Sequence, residues 1–153
     1  MKYLIQSALM TLLLLFITAC ESTTKPAQLM THLKSVNYLN PNLDNQASPV
    51  VVTFYQLKSP ETFKQAAFFA LYNKPTDTLG ADLLDKREVE IRPEKVIEVD
   101  QNIALNATYI GIVAAYRDPD IAEWKQLILI PAGEKRVRLS VNLETQRLSA
   151  KID

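Results

Sequence analysis

The residues able to make or break bonds are few. The chain holds one histidine, His32, one cysteine, Cys20, and three glycines, Gly80, Gly111 and Gly133. A zinc site needs three or four nitrogen and sulfur ligands, which one His and one Cys do not supply. Three scattered glycines build no loop whose bare backbone could cradle a phosphate. The serines lie in no strand-to-helix elbow, and no spacing supports a Ser-His-Asp triad through His32. The densest polar group is Arg117-Asp118-Pro119-Asp120, with Glu123 close behind. Paired carboxylates do acid-base work or hold calcium, and Asp118 and Asp120 are the pair that would do so. Asp before Pro is also a turn opener, these acids fall between two strands, and Arg117 can pair with either. We therefore read the group as a turn and His32 as a surface histidine; a calcium titration that raised the melting temperature would restore the metal reading.

The elements that carry these residues show mostly a period of two. Strands are predicted at Leu29 to Leu39, Val50 to Leu57, Arg87 to Ile91, Val96 to Val99, Thr108 to Tyr116, Trp124 to Ile130, Arg136 to Leu143 and Arg147 to Ile152. The seventh is the clearest: Val137, Leu139, Val141 and Leu143 alternate with Arg136, Arg138, Ser140 and Asn142, one face dry and one wet. Leu148, Ala150 and Ile152 continue that pattern after Glu144-Thr145-Gln146, which predicts a terminal hairpin. Pro131-Ala132-Gly133-Glu134 reads as a type I turn. About eight short strands imply a mainly β chain of two packed sheets. One stretch breaks the rhythm. Ser59 as cap, Pro60 at the first helical position and Glu61 in the first turn open a helix predicted to run to about Tyr72. Phe63, Ala66, Ala67, Ala70 and Leu71 recur along it at helical spacing, and with Phe68 and Phe69 it is apolar over more than half its circumference, so it should pack on a sheet. A second short helix is predicted from Leu79 to Leu84, after the Asn73-Lys74-Pro75 break.

The N-terminus has a different logic. The apolar run Tyr3 to Ala19 follows Met1-Lys2 and is interrupted by Gln6, Ser7, Thr11 and Thr18. It is shorter and more polar than the roughly 20 clean residues of a spanning helix, and fits a signal peptide over residues 1–19. Ile17-Thr18-Ala19-Cys20 resembles the bacterial lipobox, whose cysteine is lipidated and becomes the mature N-terminus. That resemblance implies a diacylglyceryl and N-acyl lipid on Cys20, and no other cofactor or redox chemistry. Several acyl chains, unlike one, make release negligible. Glu21 stands where an Asp commonly retains such lipoproteins in the inner membrane, which implies the outer membrane, facing the periplasm. The polar string Glu21 to Gln28 has nothing to bury and reads as a tether spanning at most about 28 Å. Residues 20–28 are thus anchor and tether, and 29–153 one domain with a real core. Basic and acidic residues balance at 17 each. A neutral domain has no electrostatic footprint for nucleic acid; no small-molecule substrate is indicated, and no lysine-rich helix suggests a second membrane contact.

Four strings carry a family resemblance: LNPN (Leu39 to Asn42), VVVTFYQLKSPETFKQAAFFALY (Val50 to Tyr72), LGADLL (Leu79 to Leu84) and YIGIVAAYRD (Tyr109 to Asp118). Together with the lipobox they resemble the TssJ family, also called SciN or VasD, outer-membrane lipoproteins of the type VI secretion system. The resemblance implies a transthyretin-like β-sandwich with additional helices, no enzymatic activity, and a role holding the trans-envelope complex to the outer membrane. Its implied partner is the periplasmic C-terminal region of the inner-membrane protein TssM, and through it TssL. In the family the loop between the first two strands is tied to TssM contact; here that loop is Asn40 to Ser48, with Asn42 where the family commonly has Asp.

Geometry leads to the same place. If each strand crosses the sandwich once, the loops after the first, third, fifth and seventh strands share one end and the tether enters at the other. The far end then carries Asn40 to Ser48, Arg92 to Lys95, Arg117 to Glu123 and Glu144 to Gln146. We expect a polar docking surface there, built from Asn40, Asn42, Leu43, Asp44, Arg117, Asp118 and Asp120, with Leu43 as apolar anchor. Two rivals differ in class. A pilotin-like chaperone of another outer-membrane assembly would need an exposed apolar groove. A periplasmic hydrolase on this kind of fold would need more histidines.

Overall fold

The structure, a computed structural model, describes residues 26–153. The predicted signal peptide, Cys20 and the first residues of the predicted tether lie outside the described residues. Eight strands form two four-stranded sheets. The first sheet contains β1 (Gln28–Ser35), β4 (Val96–Asn102), β7 (Arg136–Leu143) and β8 (Leu148–Ile152), in the order β4-β1-β7-β8. In the second, β2 (Val50–Leu57), β3 (Leu83–Ile91), β5 (Tyr109–Ala114) and β6 (Lys125–Leu129) lie in the order β3-β2-β5-β6. Neighbours are antiparallel except β1 and β7, which run parallel with Leu29 opposite Val137 and Leu33 opposite Val141. The mainly β, two-sheet fold is as the sequence predicts.

The alternation in β1 and β7 translates directly into burial. Leu29, Thr31 and Leu33 from β1 and Val137, Leu139, Val141 and Leu143 from β7 face the second sheet, meeting Val52, Phe54, Ile110 and Ile112. Their alternate neighbours are wet: His32 lies on the outer face, its Nδ1 2.6 Å from Glu98 Oε1. The β2 sequence VVVTFYQL does not alternate because both of its faces are covered. Phe54 points into the inter-sheet core, while Tyr55 and Leu57 belong to a second core beneath the helices. A strand buried on both faces reads as a continuous apolar run.

That second core replaces the predicted single helix with three short ones, α1 (Glu61–Gln65), α2 (Phe68–Asn73) and α3 (Pro75–Leu79). The break falls at Ala66 and Ala67, which are extended at ψ 136 and 160. Lys125, arriving from β6, accounts for the interruption: its Nζ donates to the carbonyls of Phe63 at 3.2 Å, Lys64 at 2.9 Å and Ala66 at 2.9 Å. An ammonium has three protons, and here three helix-end carbonyls take them, where the helix dipole favours a cation. Burial lowers the Lys125 pKa from its usual value. Close approach is paid in glycine: a Cβ on Gly111 of β5 would stand 2.6 Å from the Phe63 ring. Ser59 makes no cap, and the helix opens one residue later than predicted.

Other boundaries shift for local reasons. The predicted helix Leu79 to Leu84 is instead the end of α3, a 3-10 turn Gly80–Asp82, and the start of β3. Gly80, at φ 52 and ψ −128, takes a backbone shape that stops the helix. β3 begins at Leu83 rather than Arg87 because an edge strand tolerates charged residues such as Asp85, Lys86, Arg87 and Glu88 on its exposed side. β1 ends at Ser35 rather than Leu39, β4 runs on to Asn102, and β5 and β6 are shorter than predicted. Gly133 sits at φ +81, so the Pro131 to Glu134 turn is of type II, not type I. Among the described residues no helix is long and apolar enough to cross a membrane.

Candidate functional site

Strand directions alternate as expected, and the loops after β1, β3, β5 and β7 meet at one end of the sandwich, here the distal pole. Backbone bonds tie them to one another. Ser35 N–H reaches Lys95 O at 2.9 Å, Glu94 N–H reaches Val36 O at 3.0 Å, Asn40 N–H reaches Thr145 O at 3.0 Å and Glu123 N–H reaches Gln146 O at 2.9 Å. The N-terminal strand enters at the opposite end, where Ile103 N–H meets Ala27 O at 2.6 Å and Gln28 N–H meets Lys135 O at 2.9 Å.

Asn40 is the clamp of the distal pole. It sits at φ 45, a left-handed position that Asn tolerates, and is 6% exposed. Its Nδ2 donates to Pro49 O at 3.0 Å and its Oδ1 accepts the Arg117 N–H at 2.8 Å. The side chain is used up holding the β1–β2 and β5–β6 loops together, so it positions the surface rather than presenting itself on it. Asn42 works within its own loop: its Oδ1 accepts the N–H of Asp44 at 2.9 Å and of Gln46 at 2.9 Å. Only an acceptor oxygen is needed there, so an Asp would hold the same bend. The bend lifts Leu43 into solvent at 96% exposure. Asp44 is exposed beside it, and Tyr38 Oη donates to Asn45 Oδ1 at 3.3 Å across the base.

On the neighbouring loop, Arg117, Asp118 and Asp120 are all exposed. Asp118 Oδ1 accepts the Asp120 N–H at 3.2 Å, and its carbonyl accepts the Ala122 N–H at 3.1 Å. This is the Asp-Pro turn read from the sequence. Among the described residues Arg117 makes no ion pair, and no trio of acidic, His or Cys side chains is placed to hold a metal.

Three contributors lay outside the sequence reading. Ile121, exposed between Asp120 and Ala122, is a second apolar side chain at this pole; an isoleucine inside a turn was the available signal. Tyr116 is buried and directs its hydroxyl at Arg147 O, 2.7 Å, and Glu144 O, 3.1 Å, bracing the β5–β6 loop against the β7–β8 hairpin. Burial, then the charge of Glu144, pushes its pKa far above the phenol range. Arg147 closes the same seam with a two-pronged pair to Glu123 at 3.0 and 3.1 Å. The result is a braced polar platform on which Leu43 and Ile121 stand exposed, with Tyr38 and Val96 partly so, a geometry suited to docking protein.

Residues 27–146 match the family model described as Type VI secretion lipoprotein, VasD, EvfM, TssJ. Among solved structures, the chain is similar to the type VI lipoprotein TssJ1 from Pseudomonas aeruginosa, with 30% identity, a TM-score of 0.79, and coverage of 84% of this chain and 97% of that one. Lip from Serratia marcescens, a membrane-bound component of the type VI secretion system, is similar at 22% identity and TM-score 0.77, covering 82% of this chain and 98% of that one. A chain in a structure described as T6SS protein TssM C-terminal domain (869-1107) from EAEC shares the fold at 20% identity and TM-score 0.67, covering 81% and 97%. No curated protein sequence matches.

Proposed function

Because the chain belongs to the type VI secretion lipoprotein family of VasD, EvfM and TssJ, we propose that it is a non-enzymatic lipoprotein, held in the outer membrane by acylated Cys20, whose distal pole binds the periplasmic C-terminal region of TssM and through it TssL. The observation that carries this reading is opposition. The chain enters the sandwich at one pole, and the braced platform bearing Leu43 lies at the other. A protein anchored by its N-terminus turns such a platform away from the lipid, toward a partner rising from the inner membrane.

Protein interfaces draw most of their energy from a few residues, and an apolar side chain at the centre of a polar rim is the usual pattern.

Replacing Leu43 and Asp44 together with Ala should weaken binding of the TssM periplasmic region at least about tenfold, roughly the 1.4 kcal/mol of one hot-spot contact. The melting temperature should not move, because both side chains are in solvent. Unchanged affinity in a calorimetric titration would sink this placement of the site. Capture of a secretin in place of TssM would favour a pilotin-like role.

A further inference from the structure

The pole where the chain enters presents a bare leucine on a rigidly held turn. Ala107 N–H bonds Ala104 O at 3.0 Å and Asn106 sits at φ 68, so Leu105 occupies the corner of a tight turn, 86% exposed. Gln56, fully buried at the end of β2, holds that turn in place. Its Nε2 donates to Asn102 O at 2.8 Å and lies 3.4 Å from Asp85 Oδ2, and its Oε1 accepts the Ala104 N–H at 2.6 Å. An amide buried completely to fix a turn is a demanding device, and what it holds out is an apolar side chain that no described residue covers.

Neighbouring groups complete the surface. Leu129, exposed at the end of β6, lies at the same pole, where Ile130 N–H bonds Thr108 O at 2.9 Å. Lys58 and Lys135 are exposed there too, with Glu134, Asp85 and the half-buried Asp82 as the acids nearby. The chain leaves from this same patch, since Ala27 O accepts the Ile103 N–H two residues before Leu105. From Ala27 back to Cys20 the chain can span at most about 25 Å even when fully extended.

We propose that this pole rests on the phospholipid surface, with Leu105 entering the boundary between headgroups and acyl chains, Leu129 at its flank, and Lys58 and Lys135 against lipid phosphates. The proposal rests on the acylation of Cys20. Tethering keeps the patch at high effective concentration next to lipid, so a contact too weak to bind on its own is populated. A small apolar projection with lysine side chains beside it, held next to lipid by an acyl anchor, suits a shallow interfacial contact driven by the apolar side chain more than by charge. Its consequence is orientation: the domain stands upright, its distal pole pointing away from the bilayer.

The test uses the full acylated chain carrying either Leu105→Cys or Leu43→Cys, labelled with a polarity-sensitive fluorophore while lipid blocks Cys20. The protein is reconstituted into phosphatidylethanolamine and phosphatidylglycerol vesicles containing brominated acyl chains. Quenching at position 105 should exceed that at position 43 by about threefold or more, as for a side chain at the acyl boundary. Equal quenching at both positions, in protein that floats with the vesicles, would overturn the upright contact and leave the anchor intact. A chain that fails to float and shows a free Cys20 thiol would overturn the anchor, and this proposal with it.

Discussion

At the distal pole two side chains, Asn40 and Tyr116, tie neighbouring loops together across a lattice of backbone bonds, whereas at the N-terminal pole, which has backbone bonds of its own, the turn that carries Leu105 is held by the side chain of one buried glutamine, Gln56. Both poles end in an exposed leucine, Leu43 or Leu105. The distal construction spreads its support over many partners and suits a surface that must keep its shape against another protein. The N-terminal construction fixes its leucine-bearing turn with one side chain and offers a point rather than a platform. Redundancy should therefore protect the first pole from single substitutions better than the second.

Gln56→Leu should be the most damaging. It leaves Asn102 O and Ala104 N–H without their partner, a loss of about 3 kcal/mol, read as a lower midpoint in urea. Asn40→Ala should cost less, about 2 kcal/mol, by removing two bonds and straining a left-handed position. An Asn40 loss equal to or above that of Gln56 would contradict the concentrated-versus-spread contrast.

Tyr116→Phe should be the mildest, at about 1 kcal/mol near neutral pH, and its pH dependence sharpens the comparison. The folded state resists ionising this phenol, while the unfolded chain ionises near the ordinary value of 10.0. The unfolded state thus binds fewer protons above that pH, and stability must fall as pH rises. The full contribution of a neutral Tyr116 is present below about pH 10 and is lost above it, so the gap between wild type and Tyr116→Phe should close with alkali. Tyr55, whose hydroxyl donates to Leu71 O at 3.0 Å and whose pKa burial pushes up to about 12, adds a parallel loss between pH 10 and 12 in both proteins. Denaturant midpoints of the pair measured from pH 8 to 11 check the sign; parallel curves would mean that folding does not shift the ionisation of Tyr116.

Much of the fold was legible because it is written in local pattern. The bounds of β2 and β7 match residue for residue, the first as a doubly buried run and the second as strict alternation. The hairpin between Leu143 and Leu148 and the Asp118-Pro119 turn were equally local. The helix from Pro60 to Tyr72 was legible only in its apolar content. Its break at Ala66 depends on Lys125, 59 residues away, and no window along the chain contains both. Asn40 shows the same limit from the other side. It stood among the predicted contact residues by its place in a loop, yet its oxygen is taken by Arg117 N–H, 77 residues along. Gln56 lay in plain sight within an apolar strand, and only the neighbouring chain reveals which buried backbone groups it satisfies.

The sequence by itself determined how many strands form, which faces are dry, and, through strand parity, which loops share an end, because these follow from side-chain alternation and chain continuity. Tertiary structure alone decided the strand order, the parallel pairing of β1 with β7, the fracture of the helical layer, and which of the two poles' polar side chains are spent on the fold. Those outcomes depend on hydrogen bonds between residues far apart in sequence. A buried donor donates to whichever acceptor the packed neighbours bring within about 3 Å, and one-dimensional spacing carries no record of that choice.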